Sequence, residues 1–330
     1  MNIMIEYLRE INLCLWMFTF YIIAVSVGGF VTNILGPKLI VPEFFLRAYK
    51  YGKVSDKEKP NTEKSYTSIL ISYTEVPKRW FIHFYIWAAI LSTAACYHVF
   101  GMYLQQEYRM YLRDTFNPPW LHFVLDYITT PYRYPVELTS CVISFLLFTL
   151  HVSRRLYECL FVSIFSSGKM NLLHYIVGHT HYTGVILVLI SLAPSFGDAA
   201  YTEIQPGPGR NVNLMDVIGI IITILGSLIQ HISLRTLASL RKNNKGEINH
   251  EAHVIPEGTM FELVTCPHMF AEILVYVGIF IVLDFHPHWA VILIWVTANQ
   301  VQVAIMNHQW YKKTFKDYPI KRKAIFPYLL

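Results

Sequence analysis

The chain alternates between long apolar runs and short polar segments. Seven runs are long and apolar enough to predict helices that cross a lipid bilayer, because about 20 helical residues span its hydrocarbon core. Their predicted bounds are 11–35, 80–104, 136–153, 172–194, 214–234, 269–285 and 288–308. We expect the third helix to continue past the bilayer through Arg154 and Arg155, and the last two to form a hairpin around Pro287. The pattern predicts an all-α integral membrane protein with about seven transmembrane helices, in which residues 1–330 form a single polytopic domain.

The composition and the distribution of charge support this interpretation. Apolar residues make up 54% of the chain and charged residues 15%, against roughly 25% charged residues in a soluble domain. The loops after spans one, three and five, together with the C-terminal tail, hold 22 of the 27 lysines and arginines. Since cytosolic loops carry the excess of basic residues, we predict a cytosolic C-terminus and a lumenal N-terminus. This arrangement favours membrane topology over nucleic-acid binding as the reason for the positive charge.

The cysteines and histidines do not predict a disulfide framework or a metal site. The five cysteines are an odd number and contain no Cys-x-x-Cys pair. The segment His250-Glu251-Ala252-His253 is one residue short of the zinc-protease pattern. A metal site needs converging ligands that are held by further hydrogen bonds. We therefore interpret five other histidines as interfacial residues at span ends, namely His174, His179, His181, His286 and His288.

Polar residues inside or beside the apolar helices are the candidates for chemistry, because such residues are costly in a membrane. Each one alone is compatible with an interhelical hydrogen bond or a snorkelling side chain. Together they cluster near the predicted cytosolic face, where cations and donors suit the phosphates of a dinucleotide. They are Glu75, His151, Arg154, Arg155, Glu158, Gln230, His231, Arg235, Glu262, Glu272, Asn299, Gln300, Asn307 and His308.

Residues 246–330 contain an ordered series of motifs. They are Ile255-Pro256-x-Gly258-x-x-Phe261-Glu262-x-Val264-x-Cys266-Pro267-His268-x-x-x-Glu272, then His308-Gln309-Trp310-Tyr311-Lys312-x-x-Phe315-x-Asp317-Tyr318-Pro319, and finally Arg322-Lys323-Ala324-x-x-Pro327. This series resembles the C-terminal region of the steroid 5α-reductase superfamily. Two further segments resemble its polyprenol reductase branch, namely Val76-Pro77-Lys78-Arg79-Trp80-Phe81-x-His83-Phe84-Tyr85 and His151-x-x-Arg154-Arg155-Leu156-Tyr157-Glu158.

The resemblance implies helices that enclose a cytosolic-side NADPH pocket. It also implies reduction of a carbon–carbon double bond that is conjugated to a carbonyl group. Cofactor-binding roles carry over to Arg241, His253, His268, Glu272, Asn307 and Tyr311. From the polar cluster we add four further cofactor-binding candidates: Arg154, Arg155, His231 and His308.

The catalytic glutamate of the family aligns with Glu75, and the family tyrosine that assists it falls on Val152. That departure argues against a steroid 3-ketone as the substrate. We expect Glu75 to act as a hydrogen-bond donor to the substrate oxygen, with His151 or Tyr157 sharing the role. We expect no metal.

The substrate implied by the branch is a polyprenoid lipid, with dolichol synthesis for protein N-glycosylation at the endoplasmic reticulum membrane as the context. An allylic alcohol offers no electron sink for hydride attack, whereas the aldehyde polyprenal does. We therefore hypothesise that the aldehyde is the immediate substrate. The alternatives are a 3-oxo-Δ4-steroid 5α-reductase, a trans-2-enoyl-CoA reductase and a non-enzymatic seven-helix membrane receptor.

Overall fold

The computed structural model describes residues 12–32, 74–104, 136–193, 212–243, 245–250 and 253–330. Within these ranges its main elements are α1 Leu13–Phe30, β1 Glu75–Pro77, α2 Phe81–Leu104, α3 Leu138–Tyr157, β2 Lys169–Asn171, α4 Leu172–Leu192, α5 Leu214–Ser239, α6 Pro267–Val282 and α7 Pro287–Thr314.

The helices suit a lipid environment. Among the described residues, five segments are long and apolar enough to cross a bilayer, namely α1, α4, α5, α7 and the Lys78–Tyr97 segment that contains most of α2. Helix α6 is apolar but shorter, and α3 carries two arginines in its last turn. Large side chains such as Trp16, Phe20 and Ile90 are exposed on the outer faces, as expected for contact with lipid. The fold is that of a mostly helical, multi-pass membrane protein, and the count of seven spans stays a prediction.

Helices α4 and α5, like α1 after Asn12, begin where an asparagine side chain satisfies a free backbone N–H group. Asn213 accepts a hydrogen bond from the N–H of Asp216 at 2.8 Å, and the Asp216 carboxylate accepts one from the N–H of Asn213 at 2.9 Å. This reciprocal pair is a capping box at the start of α5. Asn171 caps α4 through the N–H of Leu173. The predicted starts of both helices are confirmed.

Several predicted helix ends are wrong, because the helices run beyond their apolar stretches. Helix α5 continues past residue 234 to Ser239, and α7 continues past residue 308 to Thr314. Hydropathy marks the edge of the bilayer, whereas backbone hydrogen bonding continues into polar sequence. Helix α3 also continues, as predicted, and passes into a short π-helical turn at Glu158–Val162.

Glycines set the close packing of α5 against α6. A methyl group on Gly278 would lie 2.5 Å from the carbonyl oxygen of Gly219, and one on Gly226 would lie 2.9 Å from that of Ala271. Small residues let two membrane helices approach this closely. The contact fixes the register of α5 against α6 one turn before Gln230.

Two reversals bring helix ends together. Strands β1 and β2 pair antiparallel, with Glu75 opposite Asn171, so α2 and α4 start side by side. Helices α6 and α7 are joined by a tight turn in which Asp284 and Phe285 adopt positive φ angles of 52° and 57°. The predicted hairpin of the last two helices is confirmed.

The C-terminal segment folds back onto the residues that precede α6. The N–H of Thr265 donates to the carbonyl of Lys323 at 2.8 Å, and the N–H of Cys266 donates to that of Ala324 at 3.1 Å. Gly258 has a φ of 80°, a conformation that glycine adopts without steric cost. The motifs of the 246–330 region therefore lie against one another beside the end of α7.

Candidate active site

Glu158 lies at the centre of a cluster of charged side chains between α3 and α5. Its fully buried carboxylate accepts hydrogen bonds from Arg154 Nη1 and Arg155 Nη1, each at 2.5 Å. It also accepts one from His231 Nδ1 at 2.9 Å. Three of the predicted cofactor-binding residues therefore converge on one carboxylate. The two guanidinium groups thus share this carboxylate as a common acceptor.

The spacing of these residues along α3 places them on one side of the helix. His151, Arg154, Arg155 and Glu158 follow steps of three and four residues, which bring side chains together on a helix surface. The π-helical turn begins at Glu158, and such turns occur frequently at functional sites.

Gln230 joins this cluster to α6. Its Oε1 accepts a hydrogen bond from Arg154 Nη2 at 2.5 Å, and its Nε2 donates to Glu272 Oε2, also at 2.5 Å. Nε2 also lies 3.2 Å from the carbonyl oxygen of His268. Since a guanidinium group can only donate, the orientation of the Gln230 amide is fixed. One buried amide thus connects α3, α5 and α6.

His151 closes this network. Its Nδ1 lies 3.3 Å from Arg154 Nη2, and its Nε2 lies 3.3 Å from Glu272 Oε1. The guanidinium group cannot accept, so Nδ1 accepts and Nε2 carries the hydrogen that is donated to Glu272. Both ring nitrogens are engaged within the protein. This geometry favours a positioning role for His151 over direct proton donation to a substrate.

The other two predicted catalytic residues lie outside this network. The side chain of Glu75 on β1 is half-buried, at 35% exposure, and Lys169 Nζ on β2 lies 3.8 Å from its Oε2. Tyr157 is 53% exposed, and its ring contacts that of Phe161 at a centroid distance of 5.3 Å. Among the described residues, no hydrogen bond joins Glu75 or Tyr157 to His151.

Two other predicted cofactor-binding residues belong to the C-terminal unit. The buried ring of Tyr311 stacks on that of Tyr318, with 5.6 Å between centroids. His308 Nδ1 lies 2.6 Å from the Thr265 hydroxyl, which is also 2.5 Å from the Tyr318 hydroxyl. Burial raises the pKa of Tyr318, so its hydroxyl keeps its hydrogen at neutral pH.

The remaining predicted cofactor-binding residues are spread around the same end of the bundle. The ring of His253 contacts that of Trp310 at 5.1 Å, and the Asn307 amide donates to the carbonyl of Val303 at 2.8 Å. Arg241 follows α5, and its guanidinium group donates to the carbonyl of Ile164. The structure therefore does not gather all ten predicted residues into one hydrogen-bonded group.

The chemistry of the charged cluster fits a nicotinamide dinucleotide. Arg154 Nε is buried and, within the described ranges, has no hydrogen-bond partner. Guanidinium groups are suited to bind phosphates, and this orphaned donor is compatible with a bound anion.

One histidine was assigned to the wrong environment. His181 does not lie at a span end but in the middle of α4. Its Nε2 lies 3.1 Å from the Tyr276 hydroxyl, and its Nδ1 accepts a hydrogen bond from Trp295 Nε1 at 3.1 Å. It therefore contributes interhelical hydrogen bonds within the membrane core. Across the part of the chain that the structure describes, no three side chains of His, Cys, Asp or Glu form a metal-binding group.

The sequence left two contributors to the cluster without a role. Glu158 and Gln230 stand out in the sequence as polar residues near apolar helices. That Glu158 accepts from both arginines and that Gln230 links Arg154 to Glu272 depends on how the helices are rotated about their axes. Tyr85 closes the motif at 76–85 but suggested no role of its own, because an aromatic residue in an apolar helix is ordinary. In the structure, Arg155 Nε donates to the Tyr85 hydroxyl at 3.3 Å, and its guanidinium group lies 5.1 Å from the ring centroid.

The fold and this site define a multi-pass helical membrane protein with a buried network of charged groups at one end. A family model described as 3-oxo-5-alpha-steroid 4-dehydrogenase matches residues 200–330. A polyprenal reductase of Drosophila melanogaster is 33% identical over 97% of this chain and 94% of its own length. The polyprenal reductase of Caenorhabditis elegans is 33% identical over 85% of this chain and 85% of its own length. That of Homo sapiens is 33% identical over 77% of this chain and 78% of its own length.

The chain belongs to the steroid 5α-reductase family. It is an oxidoreductase that acts on a CH–CH group, in a family whose enzymes use a nicotinamide cofactor. The family resemblance inferred from the sequence motifs is confirmed.

Proposed function

We propose that this protein reduces the α-isoprene double bond of polyprenal to give dolichal, and so serves the conversion of polyprenol to dolichol for protein N-glycosylation. The observation that carries the proposal is the similarity to polyprenal reductases over nearly the whole chain. A steroid substrate is supported only by the family description, which covers the C-terminal part.

The chemistry of the double bond supports the aldehyde as the immediate substrate. Hydride addition to an alkene needs a group that accepts the developing negative charge. In polyprenal the conjugated carbonyl oxygen accepts it, whereas polyprenol has no such group. A hydrogen-bond donor placed at that oxygen would stabilise the transition state more than the ground state.

We assign Glu75 as this donor, acting in its protonated form, in which it no longer pairs with Lys169. Its half-buried position beside the starts of α2 and α4 lets a substrate head group approach from the bilayer edge. His151, with both nitrogens engaged, holds Glu272 in place. Tyr157 remains a candidate for assisting Glu75, although its exposure weakens that assignment.

The proposed cofactor is NADPH, which when bound supplies the hydride for the β-carbon of the enal. Arg154, Arg155 and Arg241 would hold its phosphates, because each carries a guanidinium group at the same end of the bundle. Glu158 and Gln230 orient Arg154 for that purpose. The other assigned contacts are His231, His253, His268, Glu272, Asn307, His308 and Tyr311.

The proposed setting is the endoplasmic reticulum membrane. The whole chain would form one membrane domain with seven spans around the cofactor pocket, a lumenal N-terminus and a cytosolic C-terminus. The distribution of basic residues supports this orientation. Glycosylation sites inserted into each loop would test it, and modification of a C-terminal site would contradict it.

A substrate panel separates this function from its rivals. Purified protein with NADPH should reduce polyprenal, and should act far more slowly on a 3-oxo-Δ4-steroid and on trans-2-enoyl-CoA. Equal or faster turnover of either rival substrate would overturn the assignment. A non-enzymatic receptor would reduce none of them and would gain no thermal stability from NADPH.

A further inference from the structure

A cleft of about 380 Å³ lies between the end of α7 and the C-terminal segment. Three cations line it: Lys312, Arg322 and Lys323. Of the residues assigned to NADPH, only His308 reaches its wall, and its Nδ1 is engaged by Thr265. The cleft therefore has a charge and a position of its own.

The cleft opens on a different face of α7 from Asn307 and Tyr311, two of the assigned cofactor contacts, whereas His308 lies at its wall. Ile305, Gln309 and Lys312 line it and follow one another at helical spacing along one face. Asn307 and Tyr311 lie on another face, and the Tyr311 ring is buried against the C-terminal segment. A ligand in the cleft would not occupy the space beside Asn307 and Tyr311.

The two lysines of the cleft are available for an anion. Within the described ranges, neither Lys312 nor Lys323 makes an ion pair. Arg322 is only 2% exposed; its Nη1 donates to the carbonyl of Pro256 at 2.9 Å, and its guanidinium group lies 5.4 Å from the Tyr318 ring centroid. Its buried Nε has no hydrogen-bond partner among the described residues. Arg322 therefore contributes fixed positive charge to the wall, and the two lysines supply the contacts to an anion.

The rim of the cleft is apolar, which identifies the source of the anion. Ile305 and Leu329 line the cleft, as does Ile320, which is 93% exposed. A free phosphate ion gains nothing from such a rim, whereas a lipid has acyl chains to place against it. We propose that the cleft binds the phosphate head group of an anionic membrane lipid, whose chains follow the lipid-facing surface of α7.

The walls of the cleft are held in place by backbone hydrogen bonds. Lys323 is fixed through its N–H to the carbonyl of Leu263 at 2.9 Å and through its own carbonyl to the N–H of Thr265. The N–H groups of Ile325 and Phe326 each donate to the oxygen of Leu330 at 2.8 Å, which closes the last turn. The site is therefore preformed, and its lysines can be changed without disturbing these bonds.

Native mass spectrometry of the purified full-length protein in detergent tests the proposal, with dioctanoyl phosphatidic acid as the probe. We expect one lipid bound per chain. The double variant Lys312→Gln/Lys323→Gln should weaken binding roughly 10- to 30-fold, because each lysine near an anionic head group contributes about 1 kcal/mol. The matched control Lys313→Gln/Lys316→Gln removes the same charge from the same end of α7 but outside the cleft. It should change the affinity less than threefold.

Three outcomes would overturn the proposal. Equal loss of binding in both double variants would show non-specific attraction to surface charge. Displacement of the lipid by inorganic phosphate at constant ionic strength would show a site for the free ion. Competition by NADPH would show that the cleft belongs to the cofactor pocket. Dioctanoyl phosphatidylcholine should bind at least tenfold more weakly than the anionic lipid.

Discussion

Replacing Glu158 by glutamine should destabilise the protein severely. The side chain is fully buried and balances Arg154 and Arg155, whose side chains are 21% and 11% exposed. Glutamine keeps the shape but loses the charge, so the two guanidinium groups lose the carboxylate that both of them contact, and of the described carboxylates only Glu272, which Gln230 links to Arg154, remains nearby. Breaking a buried ion pair by removing one partner costs about 3–5 kcal/mol. We expect the loss to fall in this range, because the carboxylate is fully buried and accepts hydrogen bonds from both arginines.

Reversible unfolding in mixed micelles of mild detergent and dodecyl sulfate measures this free energy. Glu257→Gln is the matched control, because Glu257 is exposed and makes no ion pair in the described part of the chain. Its unfolding free energy should change by less than about 0.5 kcal/mol. A loss below about 1 kcal/mol for Glu158→Gln would refute the inference that this carboxylate holds the cluster together.

Three further substitutions test other parts of the account. Glu75→Gln should reduce turnover of polyprenal by about 10²- to 10⁴-fold, while the NADPH dissociation constant should change less than threefold. A variant that keeps its turnover would exclude Glu75 as the donor. Arg241→Ala should raise that dissociation constant roughly tenfold in a fluorescence titration with little change in kcat, and an unchanged constant would exclude a phosphate contact. Gly278→Ala should lower the unfolding free energy by about 1–3 kcal/mol, because the added methyl group would lie 2.5 Å from the Gly219 carbonyl oxygen. Gly246→Ala is the control: its added methyl group would meet no atom within 4 Å, so any loss there comes from the positive φ angle alone.

The sequence predicts the helices better than their ends. Residues 172 and 214 follow Asn171 and Asn213, so the start of the apolar run and the cap coincide. At the far end of α5 no such signal exists, and the helix continues through polar residues to Ser239. The β1–β2 ladder was not predicted, because three residues per strand are too few to show a period of two.

The candidate site was predicted as a set of residues but not as a network. Arg154, Gln230 and Glu272 stand out in the sequence, because a polar side chain on an apolar helix costs free energy in a membrane. Which side chains pair depends on helix rotation and on the glycine contacts between α5 and α6, and neither can be read from one sequence. Glu75 was found by motif alone, and its ion pair with Lys169 depends on the strand pairing.

Transfer of deuterium tests the central claim most directly. Purified protein is incubated with polyprenal and NADPH that carries deuterium at the transferable position of its nicotinamide ring, and the product is analysed by mass spectrometry and NMR. The account predicts dolichal with one deuterium on the β-carbon of the former enal. Deuterium on the carbonyl carbon, with the double bond intact, would contradict it, because the protein would then be reducing the aldehyde to polyprenol.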